Sequence, residues 1–168
     1  MLLEWGPVLF SVEVVAVAFF DYPGSSESER TDLPFLAGAS SDDWKALLRH
    51  LSAEKFSAGQ VLMQAGDPAD AFFILAEGTV EVDTAVSARR RALARIDAGS
   101  IFGEIGFLDG GVRTATVRAL TDGTMMRVTQ SGYAILQSWE PQLAQRIAMD
   151  LGRICATRLR RVLRLLAR

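Results

Sequence analysis

The chain opens on an almost unbroken apolar run, MLLEWGPVLFSVEVVAVAFF, interrupted only by Glu4 and Glu13. No positive charge leads it, as a secretion signal would require. A glutamate near the middle of a membrane span costs about 2.5 kcal/mol or more. The β-branched VEVVAV portion therefore predicts a strand or irregular extension rather than a transmembrane helix. DYPGSSESERTD, residues 21–32, is rich in Ser, Gly, Pro and charge and reads as a linker. Residues 1–32 are thus an apolar segment plus linker, and a second unit runs from residue 33 to 168.

That unit begins with a helix signal, SSDDWKALLRHL. Ser40 or Ser41 can cap it, and Asp42 and Asp43 face the positive end of the helix dipole. Trp44, Leu47, Leu48 and Leu51 recur at helical spacing and predict a core-facing side. From Glu54 to Thr129 the period shortens into strand-length apolar runs broken by glycine, with Gly59, Gly66, Gly78 and Gly99 at the corners. AFFILAEGTVEVDT, two apolar runs around Glu77-Gly78, predicts a hairpin. After Gln130 the helical period returns. SGYAILQSW predicts a short helix ending before Pro141, and residues 141–168 predict a long one. Along it Ala144, Ala148, Leu151, Cys155, Leu159, Val162 and Leu166 form one apolar seam, fit to pack on its own domain, on a second copy, or on both. The expected architecture is mainly β with flanking helices: an antiparallel, jelly-roll-like β-roll with a long C-terminal lid helix.

Charge sharpens this picture. The net charge is −2, but residues 142–168 hold seven Arg against Asp150 (+6), which leaves eleven bases and nineteen acids (−8) elsewhere. An acidic body argues against nucleic acid as a partner. The Arg-rich end reads as a solvated face that also suits a helix C-terminus. One Cys excludes an internal disulfide, and one His, His50, excludes a multi-imidazole metal site. No nucleophile–base pair and no metal cluster is apparent, so neither catalysis, nor a metal, nor a cofactor is expected.

The candidate chemistry lies in FGEIGFLDGGVRTATV, residues 102–117. Gly103 permits close backbone approach, and the turn that follows starts a helix, whose unpaired N–H groups attract anions. Arg113 can pair with a phosphate bidentately. Glu104 would repel a phosphate, unless the ligand also donates a hydroxyl; a ribose 2′-OH beside a cyclic phosphate offers both. The competing reading is a structural salt bridge between Glu104 and Arg113.

The string FGEIGFLDGGVRTATVRAL resembles the phosphate-binding cassette of the cyclic nucleotide-binding domains, a family that includes the catabolite activator protein, the regulatory subunits of cyclic-AMP-dependent kinase and nucleotide-gated channels. Upstream, GQVLMQAGDPADAFFILAEGTVEV resembles the family's first strands. The resemblance covers about residues 33–164. It implies that Glu104 takes the ribose hydroxyl and Arg113 the cyclic phosphate. Phe102, Gly103, Ile105, Thr114 and Ala115 would complete the ligand shell. Thr114 occurs with either base in the family; cyclic AMP is the expected ligand, and cyclic GMP the alternative. The last helix resembles the family's lid, which places Thr157 and Arg158 near the purine and makes a homodimer through helix 141–168 an expectation.

The resulting reading is a cytoplasmic sensing module without enzymatic activity, coupling ligand binding to movement of its C-terminal helix. Its output would be a fused or separate effector such as a transporter, channel or enzyme. Any membrane association, on the cytoplasmic face, would come from that parent protein. The alternatives are a catabolite-activator-like transcription regulator lacking its DNA-binding domain, and a degenerate dimerisation module that no longer binds ligand.

Overall fold

A computed structural model of the chain describes residues 2–5, 8–11, 35–84 and 91–166. The linker and most of the apolar opening, VEVVAV included, lie outside the described residues. Within that opening, β1 (Leu2–Trp5) and β2 (Val8–Ser11) pair antiparallel, Leu2 opposite Ser11 and Trp5 opposite Val8. No helix among the described residues is long and apolar enough to cross a membrane.

The remaining elements follow the predicted order. Helix α1 (Ser41–Leu48) is closed by a capping box: Ser40 Oγ accepts from the Asp43 amide, and the Asp43 carboxylate accepts from the Ser40 amide. Eight strands follow: β3 (Ser52–Phe56), β4 (Val61–Met63), β5 (Ala71–Glu77), β6 (Thr79–Thr84), β7 (Arg91–Asp97), β8 (Ile101–Phe102), β9 (Thr116–Ala119) and β10 (Gly123–Thr129). Helix α2 (Glu104–Asp109) lies between β8 and β9; α3 (Gln130–Trp139) and α4 (Pro141–Leu166) end the chain. The strands form two four-stranded antiparallel sheets, ordered β3-β10-β5-β8 and β4-β9-β6-β7. This is the expected β-roll with flanking helices.

The expected hairpin around Gly78 does not form. β5 pairs with β10 and β8, whereas β6 pairs with β7 and β9, so the chain changes sheets at one residue. Gly78 has φ 89°, and a Cβ there would lie 2.7 Å from the Asp122 carbonyl oxygen. The Thr79 amide donates to Thr121 Oγ, which ties the corner to the β9–β10 turn. A turn signal between two apolar runs cannot distinguish folding back from crossing over.

β5 is buried on both faces. Phe72 and Ile74 join a core under the helices with Phe35, Trp44, Leu136 and Ile147. Phe73 and Leu75 point the other way, into the roll, beside Met63, Val80, Phe102 and Val117. Each such side chain contributes roughly 1.5–3 kcal/mol on burial. The predicted seam of α4 divides. Of its residues, Ala144 and Leu151 are buried, Ala148 is half-buried and Leu159 is more than half exposed, while Leu143, Ile147 and Ile154, which the seam did not include, join Leu151 in the helix-side core. Among the described side chains, the apolar packing of the helix on its own domain extends to Ile154, and Arg158 adds polar contacts to Glu104 and Ile101 beyond it. Cys155 is half-buried, and the side chains of Val162 and Leu166 lie outside the described residues.

Candidate functional site

β8 delivers the chain to Gly103, which enters α2 at φ 78°. Its missing side chain is a spatial requirement: a Cβ would lie 2.8 Å from Arg113 Nη1 and 3.3 Å from the Phe73 ring. Arg113 arrives from the far side of α2, after a turn locked to the strand β4 exit. The Arg113 amide donates to the Asp67 carbonyl, and the Gly66 amide to the Arg113 carbonyl, each at 2.8 Å.

The Arg113 guanidinium is buried, with 6% of the residue exposed. Nη1 donates to the carbonyls of Ala71 at 2.6 Å and Gly103 at 3.0 Å, and the group stands 5.4 Å from the Phe73 ring centroid. Burial pulls its pKa below the ordinary arginine value, and the field of Asp70 partly offsets this. Asp70 is itself taken by Arg127, at 2.8 and 3.0 Å. Among the described residues no carboxylate lies within ion-pair distance of Arg113. A buried cation held only by neutral carbonyls is an electrostatic deficit that an anion would relieve. A cleft of about 260 Å³ reaches Arg113, lined also by Met63, Asp67, Asp70, Phe73 and Arg127. A larger surface cleft of about 450 Å³, around Lys55, Glu77 and Asp122, holds neither Glu104 nor Arg113.

Glu104 begins α2 and is buried. Its ion pair is not with Arg113 but with Arg158 of α4, Nη1 to Oε1 at 2.8 Å. The second Arg158 nitrogen, Nη2, donates to the Ile101 carbonyl at 2.8 Å. Cys155 Sγ also lies 3.8 Å from Glu104 Oε1. Burial, then the Glu104 charge, pushes the Cys155 thiol pKa up to about 11, so it is a protonated donor here.

The other expected site residues are distributed around this centre. Phe102 stacks on Phe73 inside the roll, ring centroids 5.0 Å apart. Ala115 is buried, Ile105 and Thr114 are exposed, and Thr157 is half-buried one residue before Arg158. Sequence reasoning missed the Ala71 carbonyl and the Phe73 ring that hold Arg113, because strand β5 reads as pure core. It also missed that Asp150 accepts from the Leu36 amide at 3.0 Å, and Arg146 donates to the Ala37 carbonyl at 2.6 Å, fastening α4 to the turn before α1.

Residues 53–138, just over half of the chain, match the model of the cyclic nucleotide-binding domain. Glutaminase 1 of Bradyrhizobium diazoefficiens is 30% identical over 144 residues, covering 83% of this chain and 23% of that protein. A cyclic nucleotide-gated potassium channel of Mesorhizobium japonicum is 30% identical over 99 residues, covering 59% of this chain and 26% of the channel. The chain thus spans about a quarter of the length of these curated relatives. Among solved structures, the catabolite activator protein of Thermus thermophilus superposes with a TM-score of 0.70 at 27% identity, over 80% of this chain and 63% of that one. With its two-sheet roll, its glycine-led cassette and this match, the chain belongs to the cyclic nucleotide-binding domain family.

Proposed function

We propose that residues 33–168 form a regulatory module that senses cyclic AMP, with cyclic GMP as the alternative ligand, and transmits binding through α4 to a fused or separate effector in the cytoplasm. The observation that carries this reading is Arg113: buried, charged, and satisfied only by neutral carbonyls beside Gly103. The cyclic phosphate would supply the missing charge, and Glu104 would take the ribose hydroxyl. Phe102, Gly103, Ile105, Thr114 and Ala115 would shape the shell around them, with Thr157 and Arg158 on the lid. Calorimetric titration with cyclic AMP and cyclic GMP tests it, on the wild type and on Arg113→Ala. Loss of the guanidinium should weaken binding by roughly 2–5 kcal/mol. No heat at millimolar ligand would overturn the reading and favour a dimerisation module without ligand. Equal binding by both proteins would overturn the site.

A homodimer through α4 has separate support. Met149, Gly152, Ala156, Leu159 and Leu163 are all exposed, and their spacing of 3, 4, 3 and 4 is that of a coiled-coil seam. Arg146, Arg153 and Arg160 flank it on one side, Ala148 and Cys155 on the other. A parallel pair sets Arg against Ala or Cys, whereas an antiparallel pair sets Arg against Arg. Sedimentation equilibrium should show a dimer that Leu159→Glu with Leu163→Glu dissociates. A wild-type monomer at 100-fold varied concentration would rule it out.

A further inference from the structure

The solvent side of α4 carries two parallel stripes. Leu143, Ile147, Leu151 and Ile154 turn into the helix-side core. On the opposite side Met149, Leu159 and Leu163 are more than half exposed. Beside them Arg153, Arg160 and Arg164, all exposed, fall within about 40° of one another at 3.6 residues per turn. Asp150 is the only acid after residue 140. It is turned to the Leu36 amide, and its side chain is 14% exposed. Arg153 reaches it at 3.3 Å, an exposed pair of little strength. Among the described residues no carboxylate lies within ion-pair distance of Arg160 or Arg164. Arg146 lies on the same line but is already bound to the Ala37 carbonyl and stands 3.7 Å from Asp43. The unanswered charge therefore lies from Arg153 onward, next to two exposed leucines.

We propose that this face of α4 docks directly on an anionic lipid surface. Headgroup oxygens accept from the three guanidiniums, and Leu159 and Leu163 enter the boundary of the acyl chains. The long arginine stems let the charges stay at headgroup level while the leucines sit deeper. Pairing with a second copy leaves the charge unanswered, since Arg153 and Arg160 then face Ala and Cys in a parallel pair and Arg in an antiparallel one. A nucleic acid would use the charge and leave the leucines in water. The body of the chain, with eleven bases against nineteen acids, is repelled by the same surface. An anionic bilayer therefore also orients the molecule, α4 toward it and the acidic body away. Nothing in this depends on nucleotide binding; bilayer and second copy compete for the apolar stripe.

Co-sedimentation of the full chain with phosphatidylcholine vesicles, with and without about 30 mol% phosphatidylserine, tests the proposal. The wild type should pellet with the phosphatidylserine vesicles only, and about 1 M salt should release it. Arg160→Gln with Arg164→Gln should weaken binding about 25-fold, near fivefold for each charge. Leu159→Ser with Leu163→Ser should weaken it severalfold and keep the salt dependence. Arg49→Gln with Lys55→Gln removes the same charge from exposed positions elsewhere and should leave binding unchanged. All six positions are exposed, so unfolding curves should match the wild type. The arginine pair should also leave any dimer intact in sedimentation equilibrium, which separates lost lipid contact from lost pairing. No binding to phosphatidylserine vesicles, equal binding to phosphatidylcholine alone, or undiminished binding by the arginine or the leucine pair overturns the proposal. A DNA duplex bound as tightly as the vesicles, and indifferent to the leucine pair, reassigns the face to nucleic acid and overturns it as well.

Discussion

Gly103→Ala probes how tightly the cassette is built. The residue has φ 78°, so any Cβ forces an L side chain into the left-handed region, at about 1–2 kcal/mol. The added carbon would also lie 2.8 Å from Arg113 Nη1, 3.3 Å from Phe73 Cδ2 and 3.4 Å from Met63 Sδ. Phe73 cannot retreat, because it stacks on Phe102 inside the roll. Arg113 must yield, and moving it sacrifices at least one of its bonds to the Ala71 and Gly103 carbonyls. A hydrogen bond from a charged donor contributes about 1.5–3 kcal/mol, which brings the total to roughly 2.5–5 kcal/mol. Gly99→Ala is the control. It shares the left-handed backbone, with φ 90°, but has no heavy atom within 4 Å of the added carbon. It should cost only the backbone share, about 1–2 kcal/mol. Urea unfolding of the three proteins measures both, and calorimetry should show nucleotide affinity lost in Gly103→Ala alone. If the two substitutions destabilise equally and leave affinity alike, the tight contact among Gly103, Arg113 and Phe73 is not what the fold depends on.

Two further outcomes are expected. The Cys155 thiol has a folded-state pKa of about 11 against an ordinary 9.0, so the folded state holds the proton more tightly. Its contribution is complete below pH 9 and lost as pH rises toward 11. Solvent screening of a half-exposed group reduces it to about 1 kcal/mol. The difference between wild type and Cys155→Ala across that window isolates it from Tyr133, whose pKa burial also raises. The division of α4 is tested by truncation. Leu151→Ala, at a fully buried position, should lose about 2–5 kcal/mol, whereas Leu159→Ala should change monomer stability by less than about 0.5 kcal/mol. Comparable losses at both positions would mean the helix packs on the roll along its whole length.

Much of this was legible in the chain before any coordinates. Helix periodicity, the Ser40 cap, the glycine corners and the Pro141 start are local signals, and local physics decides them. The cassette was legible because its chemistry is also local: Gly103, Glu104 and Arg113 lie within eleven residues, and only a backbone that tolerates left-handed geometry can bring them to one place. Partner choice was not legible. Whether β5 folds back on β6 or crosses to another sheet depends on the strands that compete for its edges, and β10 and β8 are distant in sequence. The seam of α4 read as one face because spacing records which residues share a side of the helix, not where the supporting surface ends. Glu104 shows the limit most clearly. Its position marked it as chemistry, and Arg113 was the partner that spacing suggested. In the fold, Arg113 turns inward to carbonyls while Arg158, fifty-four residues on, brings its charge to the carboxylate. A buried charge demands a partner, and which one it receives is settled only when the helix packs.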